Sequence, residues 1–559
     1  MQGPRMWVTR RVASRRRGTG ERTETTLAQE RDVAKGGGGR LAGAAVILMV
    51  AFVASRMTGL LRDMVISYSF GTSRAYEAYL AGNRVPDFVF QVVAGGAVAS
   101  AFIPVFTGYL AKGQEEEGWR LVSSLFNLSV LVLVPIVAVL MVFAPQVMGL
   151  IAPGFDPETA KLAADLARIM LLSPVFFTLG CFATSVLNSY RRFALAAAAP
   201  VAYNIGIICG ALFLAQAYGA YGLAIGAAVG SLLFLLVQVP GLIQVRLRYR
   251  PLLLLKHEGV REVGRLMLPR TLGLGIAQIN FVVALILASG MSERYAALNY
   301  GWLLTMLPLG VFAMAISTAV FPTLATQGAL DQMAELRRTL AATLRVILFL
   351  TIPASIGLIV LRYPIIQLLF ERGEFDQLST EWTAVALQFY AAALFAHATI
   401  EIVTRAFYAL HDTKTPVMVA AGAMVVNVAL ALMLIPFLSH GGLALAMSLA
   451  ATLEALVLLY AALKRVGGLE LGRTVVSVAK TVVSSVLMGL GLWFLSKFVA
   501  PWLDSLALPQ AVDRAIFVVV SIAIGTALYF AFSIALKSEE VGHVRDLIPA
   551  ALKRRVSSI

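Results

Sequence analysis

Charge is scarce in this chain. Only 14% of its 559 residues are Asp, Glu, Lys or Arg, where a soluble domain carries about 25%. A soluble fold of this length could enclose a large core, but it would still need a polar shell that this composition does not supply. Cysteine is scarcer: Cys181 and Cys209 both fall in apolar runs, which argues against a disulfide scaffold and against a metal site. No ligand spacing for a metal is recognisable. The glycine-rich loop that cradles nucleotide phosphates is missing, so the chain does not hydrolyse ATP by that route. His257 stands alone in a basic loop, and His411-Asp412 falls at a turn, where it reads as a cap rather than a catalytic dyad. No constellation for an enzyme remains, and none for a resident cofactor.

What the chain has is apolar residue, 59% of the total, in long runs from about residue 41 to residue 536. Each run supplies the roughly 20 residues a helix needs to cross hydrocarbon. Only helices and closed barrels satisfy their backbone in lipid. These runs lack barrel-strand alternation, so helices follow. The expectation is an all-α polytopic membrane protein with fourteen transmembrane helices, at 41–66, 78–109, 120–150, 160–187, 194–217, 221–241, 265–290, 297–325, 339–370, 381–410, 415–437, 441–463, 474–499 and 512–536. Turn signals at Tyr218-Gly219-Ala220-Tyr221-Gly222 and at Pro436, Ser439, His440, Gly441 and Gly442 divide two longer runs.

The net charge of +15 would suggest nucleic acid in a soluble protein. Here the basic residues gather at the chain ends and in alternate loops, which is a topology signal and a means of contacting anionic membrane lipids. One loop set carries Lys112 and Arg120, Arg191 and Arg192, the run from Arg246 to Arg265, Arg337 and Arg338, Lys414, and Lys464, Arg465 and Arg473. The other carries Arg74, Arg294 and Arg372 beside acidic Asp156, Glu158, Glu371, Glu374, Asp376 and Asp504; Arg362 and Arg514 lie just inside its helix ends. The bias puts the first set and both termini in the cytoplasm. The basic, Gly-rich start reads as a flexible cytoplasmic tail rather than a signal peptide.

An internal repeat runs at an offset of about 220 residues. Pro104 answers Pro322, Pro135 answers Pro353, and Phe155-Asp156 answers Phe375-Asp376. "NSYRRFALAAAAP" (188–200) answers "RAFYALHDTKTP" (405–416), and "YGLAIG" (221–226) answers "GGLALA" (441–446). The offset spans six helices, so the two halves share one orientation and can face each other across a cleft that opens to either side. The domain reading is therefore a tail at 1–40, an N-terminal lobe at 41–241 and a basic linker at 242–264. A C-terminal lobe at 265–463, two extra helices within 464–536 and a cytoplasmic tail at 537–559 complete it.

Ionisable residues inside spans are costly and mark cavities or partners. The densest set is Ser55, Arg56, Arg62 and Asp63 on the first helix, with Glu77, Asn83, Arg84 and Asp87 at the second. Arg56 and Asp63 are two turns apart on one face, and Arg84 and Asp87 one turn apart. The plainer alternative for Arg62 and Asp63 is interfacial snorkelling. Several guanidinium groups around one cleft suit a phosphate-bearing ligand. Glu401 and Arg405 are spaced for an ion pair or a gate, with His397 one turn earlier, more simply read as a packed histidine than a titrating one. Asn127, Asn204, Asn280 and Asn427 read as interhelical hydrogen-bond glue. Helix 2 also carries Gly95-Gly96, where it can flex or pack closely, and prolines in helices 2, 3 and 8 permit bends.

Several longer strings carry a resemblance. "SRMTGLLRD" (55–63), "NRVPDF" (83–88), "GAVASAFIPVF" (96–106), "LPLGVFAMAISTAVFPTL" (307–324), "LLFERGEFD" (368–376) and "RAFYALHDTKTPV" (405–417) resemble, in order, motifs of the MurJ/MviN family of lipid II flippases. The resemblance covers about residues 40–540. It implies the multidrug/oligosaccharidyl-lipid/polysaccharide exporter fold, with two six-helix lobes and two extra helices. It also implies export of the undecaprenyl-pyrophosphate-linked peptidoglycan precursor by alternating access across a bacterial inner membrane, driven by membrane potential or a cation, alongside cell-wall synthesis proteins. By the same resemblance Ser55, Arg56, Arg62, Asp63, Glu77, Arg84 and Asp87 are cavity residues for the substrate, and the last two helices receive the prenyl tail. Two positions depart from well-known relatives: Phe90 stands where they carry an arginine, and Gly301-Trp302 where they carry an acid-arginine pair. Another polyprenyl-linked oligosaccharide, or a drug exchanged for a cation, remains an alternative cargo. A catalytically silent membrane scaffold is the reading from outside the transporter class.

Overall fold

A computed structural model describes residues 50–93, 97–468, 470–504 and 509–542. The described chain is all helical. It opens with α1 (50–70), α2 (Arg74–Val93), α3 (Ala97–Ala111), α4 (Glu115–Val142), α5 (Ala144–Ile151), α6 (Pro157–Met170), α7 (Ser173–Ser189) and α8 (Phe193–Cys209). A π-helical turn leads into α9 (Ala215–Tyr218), followed by α10 (Ala220–Leu236), α11 (Val239–Gln244), α12 (Glu258–Ala288) and α13 (Arg294–Pro308). A second π turn, Leu309–Met314, joins α13 to α14 (Ala315–Ala329). Then come α15 (Met333–Val360), α16 (Arg362–Leu369), α17 (Gln377–Ala392), α18 (Leu394–Ala409), α19 (Lys414–Leu438), α20 (His440–Val466), α21 (Leu471–Asp504) and α22 (Gln510–Ala535).

The protein is a polytopic membrane protein. Among the described residues ten helices are long and apolar enough to cross a bilayer, or eleven if the bent pair α17 and α18, inclined at 44°, is one span. The described parts of the expected segments are largely helical, but 78–109, 120–150, 160–187, 339–370 and 381–410 are each divided between two helices. Helix α2 falls outside the count because charge interrupts it, and the described part of α1 begins only at residue 50. Helix α1 carries Arg56, Arg62 and Asp63, and α2 carries Arg74, Glu77, Arg84 and Asp87. Shorter apolar stretches lie at Ala101–Ala111 and Gln278–Ala288 among the described residues. Gly95-Gly96, the expected flexible point, and residues 41–49 of the first expected helix lie outside the described residues, as do the expected tail at 1–40 and residues 543–559 of the expected tail at 537–559.

The repeat seen in the sequence recurs in local geometry. The 28-residue α4 with the 8-residue α5 is answered by the 28-residue α15 with the 8-residue α16. Asp156 and Asp376 both cap the helix that follows; at Asp156 the Thr159 amide, and then its hydroxyl, hold the carboxyl below its ordinary range. Left-handed backbone recurs at Arg191 (φ 59°) and His411 (φ 57°), and again at Gly219 (φ 54°) and Ser439 (φ 52°), each pair about 220 residues apart. His411-Asp412 is a cap, as read: Asp412 accepts from the Lys414 and Thr415 amides.

Small residues let the helices approach. A Cβ on Gly226 would stand 2.7 Å from the Gly210 Cα, and one on Gly230 would stand 2.6 Å from the Tyr203 carbonyl oxygen. Helices α8 and α10 therefore pack backbone on backbone, as small-residue stripes allow in a membrane. Polar glue joins other segments. Asn280 and Asn427 bond at 2.9 Å between α12 and α19. Asn127 donates to the Leu252 carbonyl in the linker at 2.8 Å. The C-terminal hairpin of α21 and α22 is fastened through buried Arg345 on α15, which meets Glu470 at 3.1 Å and Glu540 at 3.7 Å. A largely apolar cavity of about 650 Å³ lies where α21 meets α15, α18 and α20, lined by Leu348, Phe395, Leu459, Val478 and others.

Candidate functional site

The two halves of the chain meet at the end that carries the acidic loops. Here the Glu374 amide donates to the Tyr68 carbonyl at 3.0 Å. The Thr72 and Ser379 hydroxyls share a buried hydrogen bond of 2.8 Å. The Tyr300 hydroxyl reaches the Gly71 carbonyl at 3.3 Å, and the Gly154 amide donates to Ser289 at 2.9 Å. Gly71 takes φ +55°, and a Cβ there would collide with the Glu374 backbone. Among the described residues, every hydrogen bond from 50–244 to 289–466 lies in this region. At the opposite, basic-loop end, the first half bonds instead to the linker and the start of α12, through Arg250 with Glu116 at 3.1 Å and His257 with Glu117 at 3.3 Å.

Glu77 sits in the seam. It is 2% exposed, and its Oε1 accepts from the Tyr295 amide at 2.7 Å and the Ala296 amide at 3.3 Å. Those are the orphan donors of the first turn of α13, so a carboxylate from α2 caps a helix of the other half and complements its dipole. Arg84 works beside it. Its Nε donates to the Tyr295 hydroxyl at 2.9 Å, and its guanidinium lies 5.2 Å over the Phe281 ring. Trp302 and Tyr390 line the same small cavity.

Arg62 and Asp63 pair with each other. Arg62 Nη2 and Nε reach Asp63 Oδ1 at 2.8 and 3.0 Å, and Arg62 Nη1 donates to Asn204 Oδ1 at 3.2 Å. Asn204 returns bonds to the Ser55 carbonyl and the Thr58 hydroxyl. The pair is enclosed by protein, with side-chain exposures of 25% and 8%, so it is not a snorkelling pair. Arg56 and Asp63 share a face but no contact, because two turns separate them by about 10 Å along the axis. Arg56 lies over Phe52 and faces Gly310 of the other half, where an added Cβ would come within 3.7 Å of its Nη2. No carboxylate among the described residues pairs with it. Asp87 accepts from Asn83 at 3.2 Å rather than from Arg84. The structure thus brings Ser55, Arg62, Asp63 and Asn204 together, places Glu77 and Arg84 on Tyr295, and leaves Asp87 one turn away.

Counting helical rise from the closed end, Arg62 lies roughly 12 Å deep, Arg84 roughly 15 Å and Arg56 roughly 21 Å. Three guanidinium groups at successive depths suit an anion with several oxygens. The two departures from the resembling motifs have packing reasons. Phe90 packs against Phe177, ring centroids 5.2 Å apart and planes tilted by 46°. Gly301 is buried where a Cβ would stand 3.0 Å from the Ala386 Cβ, so α13 and α17 touch, and Trp302 packs edge-on to Tyr390 and His397. Glu401 and Arg405 form the expected ion pair, at 2.6 Å, with Arg405 also donating to Thr318 on α14.

Sequence reasoning missed Tyr295, the Thr72–Ser379 bond and Glu454. The first two meet partners more than 200 residues away, and no local pattern marks them. Glu454 had a signal: it is the only acid within the apolar run 441–463.

A family model described as "Lipid II flippase MurJ" matches residues 66–512. A probable lipid II flippase MurJ of Haemophilus influenzae is 33% identical over 468 residues, spanning 80% of this chain and 91% of its own. One of Vibrio cholerae is 32% identical over 512 residues, spanning 89% and 96%. A solved structure of "Lipid II flippase MurJ, inward closed conformation" superposes with a TM-score of 0.73 at 27% identity, covering 90% of this chain and 100% of that one. An inward-facing MATE family multidrug transporter of the MOP superfamily, at 16% identity, covers 76% of this chain and 99% of its own with a TM-score of 0.62, and shares the fold.

Proposed function

The chain belongs to the MurJ family of lipid II flippases, a family of transporters rather than enzymes, and from that premise we propose that it carries lipid II from the cytoplasmic to the outer leaflet of a bacterial inner membrane by alternating access. The observation that carries this reading is the arginine series of the first half, with Arg56 and Arg84 facing the second half, beside a seam hydrogen-bonded at one end. Fourteen crossings, arranged as two six-helix lobes (41–241 and 265–463) and two further helices, put both termini and the basic loops in the cytoplasm. In this reading the closed seam at Glu77, Thr72 and Tyr68 faces outward, which corresponds to an inward-facing state.

In this account Arg56, Arg62 and Arg84 receive the pyrophosphate and its muropeptide. Ser55 and Asp63 hold Arg62 in place with Asn204, and Glu77 and Asp87 keep the cavity from becoming uniformly cationic. The cavity against α21 takes prenyl chain, so the tail stays in hydrocarbon while the headgroup crosses. Glu401 and Arg405 act as a gate against α14. Net movement of cavity charge would feel the membrane potential, about 2.3 kcal/mol per charge per 100 mV. Anionic lipids bind the basic linker, and cell-wall synthesis proteins use the product. The aromatic pair Phe90 and Trp302, where relatives are basic, favours a second reading in which the headgroup is another polyprenyl-linked oligosaccharide.

The test is rescue. Expressed in cells depleted of their own lipid II flippase, the protein restores growth and outward exposure of the precursor. Arg56→Ala and Arg84→Ala each abolish rescue at unchanged protein level. Failure of the inserted parent protein, or full rescue by both variants, overturns the reading.

A further inference from the structure

A second polar chamber lies wholly within the later helices; it adjoins the small cavity that holds Arg84, with Asn280, Asn427 and Met447 shared between them. It encloses about 350 Å³ between α12, α18, α19 and α20. One face of each helix supplies its lining, as the spacing requires. His397, Thr404 and Tyr408 come from α18, Asn427 from α19, Asn280 from α12 and Glu454 from α20. Otherwise the walls are mainly alanine, methionine, valine and isoleucine.

Two polar side-chain atoms of this chamber are buried without a partner. The Asn427 amide nitrogen is used by Asn280, and its Oδ1 is buried with no partner. His397 Nε2 is likewise buried and unpartnered. Glu454 makes no ion pair and no hydrogen bond among the described residues. It lies near the middle of α20, roughly 21 Å by helical rise from His440 and roughly 18 Å from Val466. The charges nearest in sequence on α18, Glu401 and Arg405, neutralise each other. No cation faces Glu454 from α12, α18 or α19 among the described residues that line the chamber.

A carboxylate held in an apolar shell without a countercharge is neutralised by taking a proton or a cation. The described residues offer no group of three acidic, histidine or cysteine side chains that could hold a metal ion. One carboxylate in a chamber that an imidazole also lines suits a proton. The chamber extends toward the basic-loop side, where Tyr408, Pro416 and Val417 line it beside the turn at 410–413. Tyr408 and Val417 are both partly exposed, at 42% and 37%.

We propose that Glu454 is a proton-binding site of the membrane interior, exchanging with the basic-loop side through this chamber, with His397 as the neighbour that tunes it. It uses none of the residues assigned to the headgroup, and its occupancy is measurable whether or not any lipid moves.

The experiment uses the full-length protein in lipid vesicles and dicyclohexylcarbodiimide, which attacks protonated carboxyls in apolar surroundings. Labelling is read by mass spectrometry over a pH series, with and without sodium. The expected result is labelling of Glu454 that falls along one titration curve as pH rises, is absent in Glu454→Gln, and is unaffected by sodium at fixed pH. His397→Gln retains the label and moves the midpoint of the curve. The paired Glu401 is the internal reference and stays unlabelled. No labelling of Glu454 at any pH, labelling independent of pH, or protection by sodium overturns the assignment; sodium protection makes the chamber a cation site. An unmoved midpoint in His397→Gln overturns the part given to His397.

Discussion

Replacing Glu77 by alanine tests how the closed end is held. The carboxylate accepts two amides at the head of α13, at 2.7 and 3.3 Å, and is 2% exposed. Alanine leaves those donors facing a void and removes a negative charge from a helix N-terminus. A hydrogen bond to a charged group contributes about 1.5–3 kcal/mol. Taking about 2 kcal/mol as the share borne by the closed state, the closed population should fall roughly 30-fold relative to open states. Glutamine keeps an acceptor but no charge, so its effect should be smaller. The assay is disulfide formation between Thr72→Cys and Ser379→Cys, whose hydroxyls are 2.8 Å apart, in a chain with Cys181 and Cys209 replaced by alanine. The bridge forms readily with Glu77 present, more slowly in Glu77→Gln and slowest in Glu77→Ala. Equal rates in all three would refute the claim that Glu77 holds the seam.

Two further outcomes follow from the packing. Asp63→Ala leaves Arg62 largely enclosed with only Asn204 as partner, at a cost toward the lower end of the about 3–5 kcal/mol typical of a broken buried pair. Its membrane level and melting temperature should drop, and replacing both Arg62 and Asp63 by leucine should recover stability without rescuing growth; a fully stable Asp63→Ala would contradict the buried pairing. Gly226→Val forces a Cβ to within 2.7 Å of the Gly210 Cα, and overpacking of this kind costs about 1–3 kcal/mol. A lowered melting temperature is expected there, with Gly219→Ala as the comparison, where no atom crowds a Cβ and only the positive φ is strained.

Much of the architecture was legible because lipid imposes it. Apolar runs near 20 residues, interrupted by Gly219 or by Ser439 to Gly442, already located the helices and their turns. The repeat was legible through Phe155-Asp156 and Phe375-Asp376, because capping a helix after an outward turn demands the same residue type twice. The site was legible as a composition, a cluster of charge in α1 and α2, but not as a set of contacts. Periodicity put Arg56 and Asp63 on one face, yet a shared face two turns apart cannot close a salt bridge, and the adjacent Arg62 took the carboxylate. Arg84 turned to Tyr295 in the other half, and the partners of Glu77 are backbone amides, which no residue type announces. Gly301 shows the same limit: its role is the space it leaves for Ala386.

The most direct test of the central claim is transport by the purified protein in sealed vesicles containing lipid II or another polyprenyl-linked oligosaccharide, with and without an imposed membrane potential. The account predicts protein-dependent movement of lipid II to the opposite leaflet, increased by the potential and lost in Arg84→Ala. Movement of the other glycolipid alone, or no movement of either by correctly inserted protein, would contradict it.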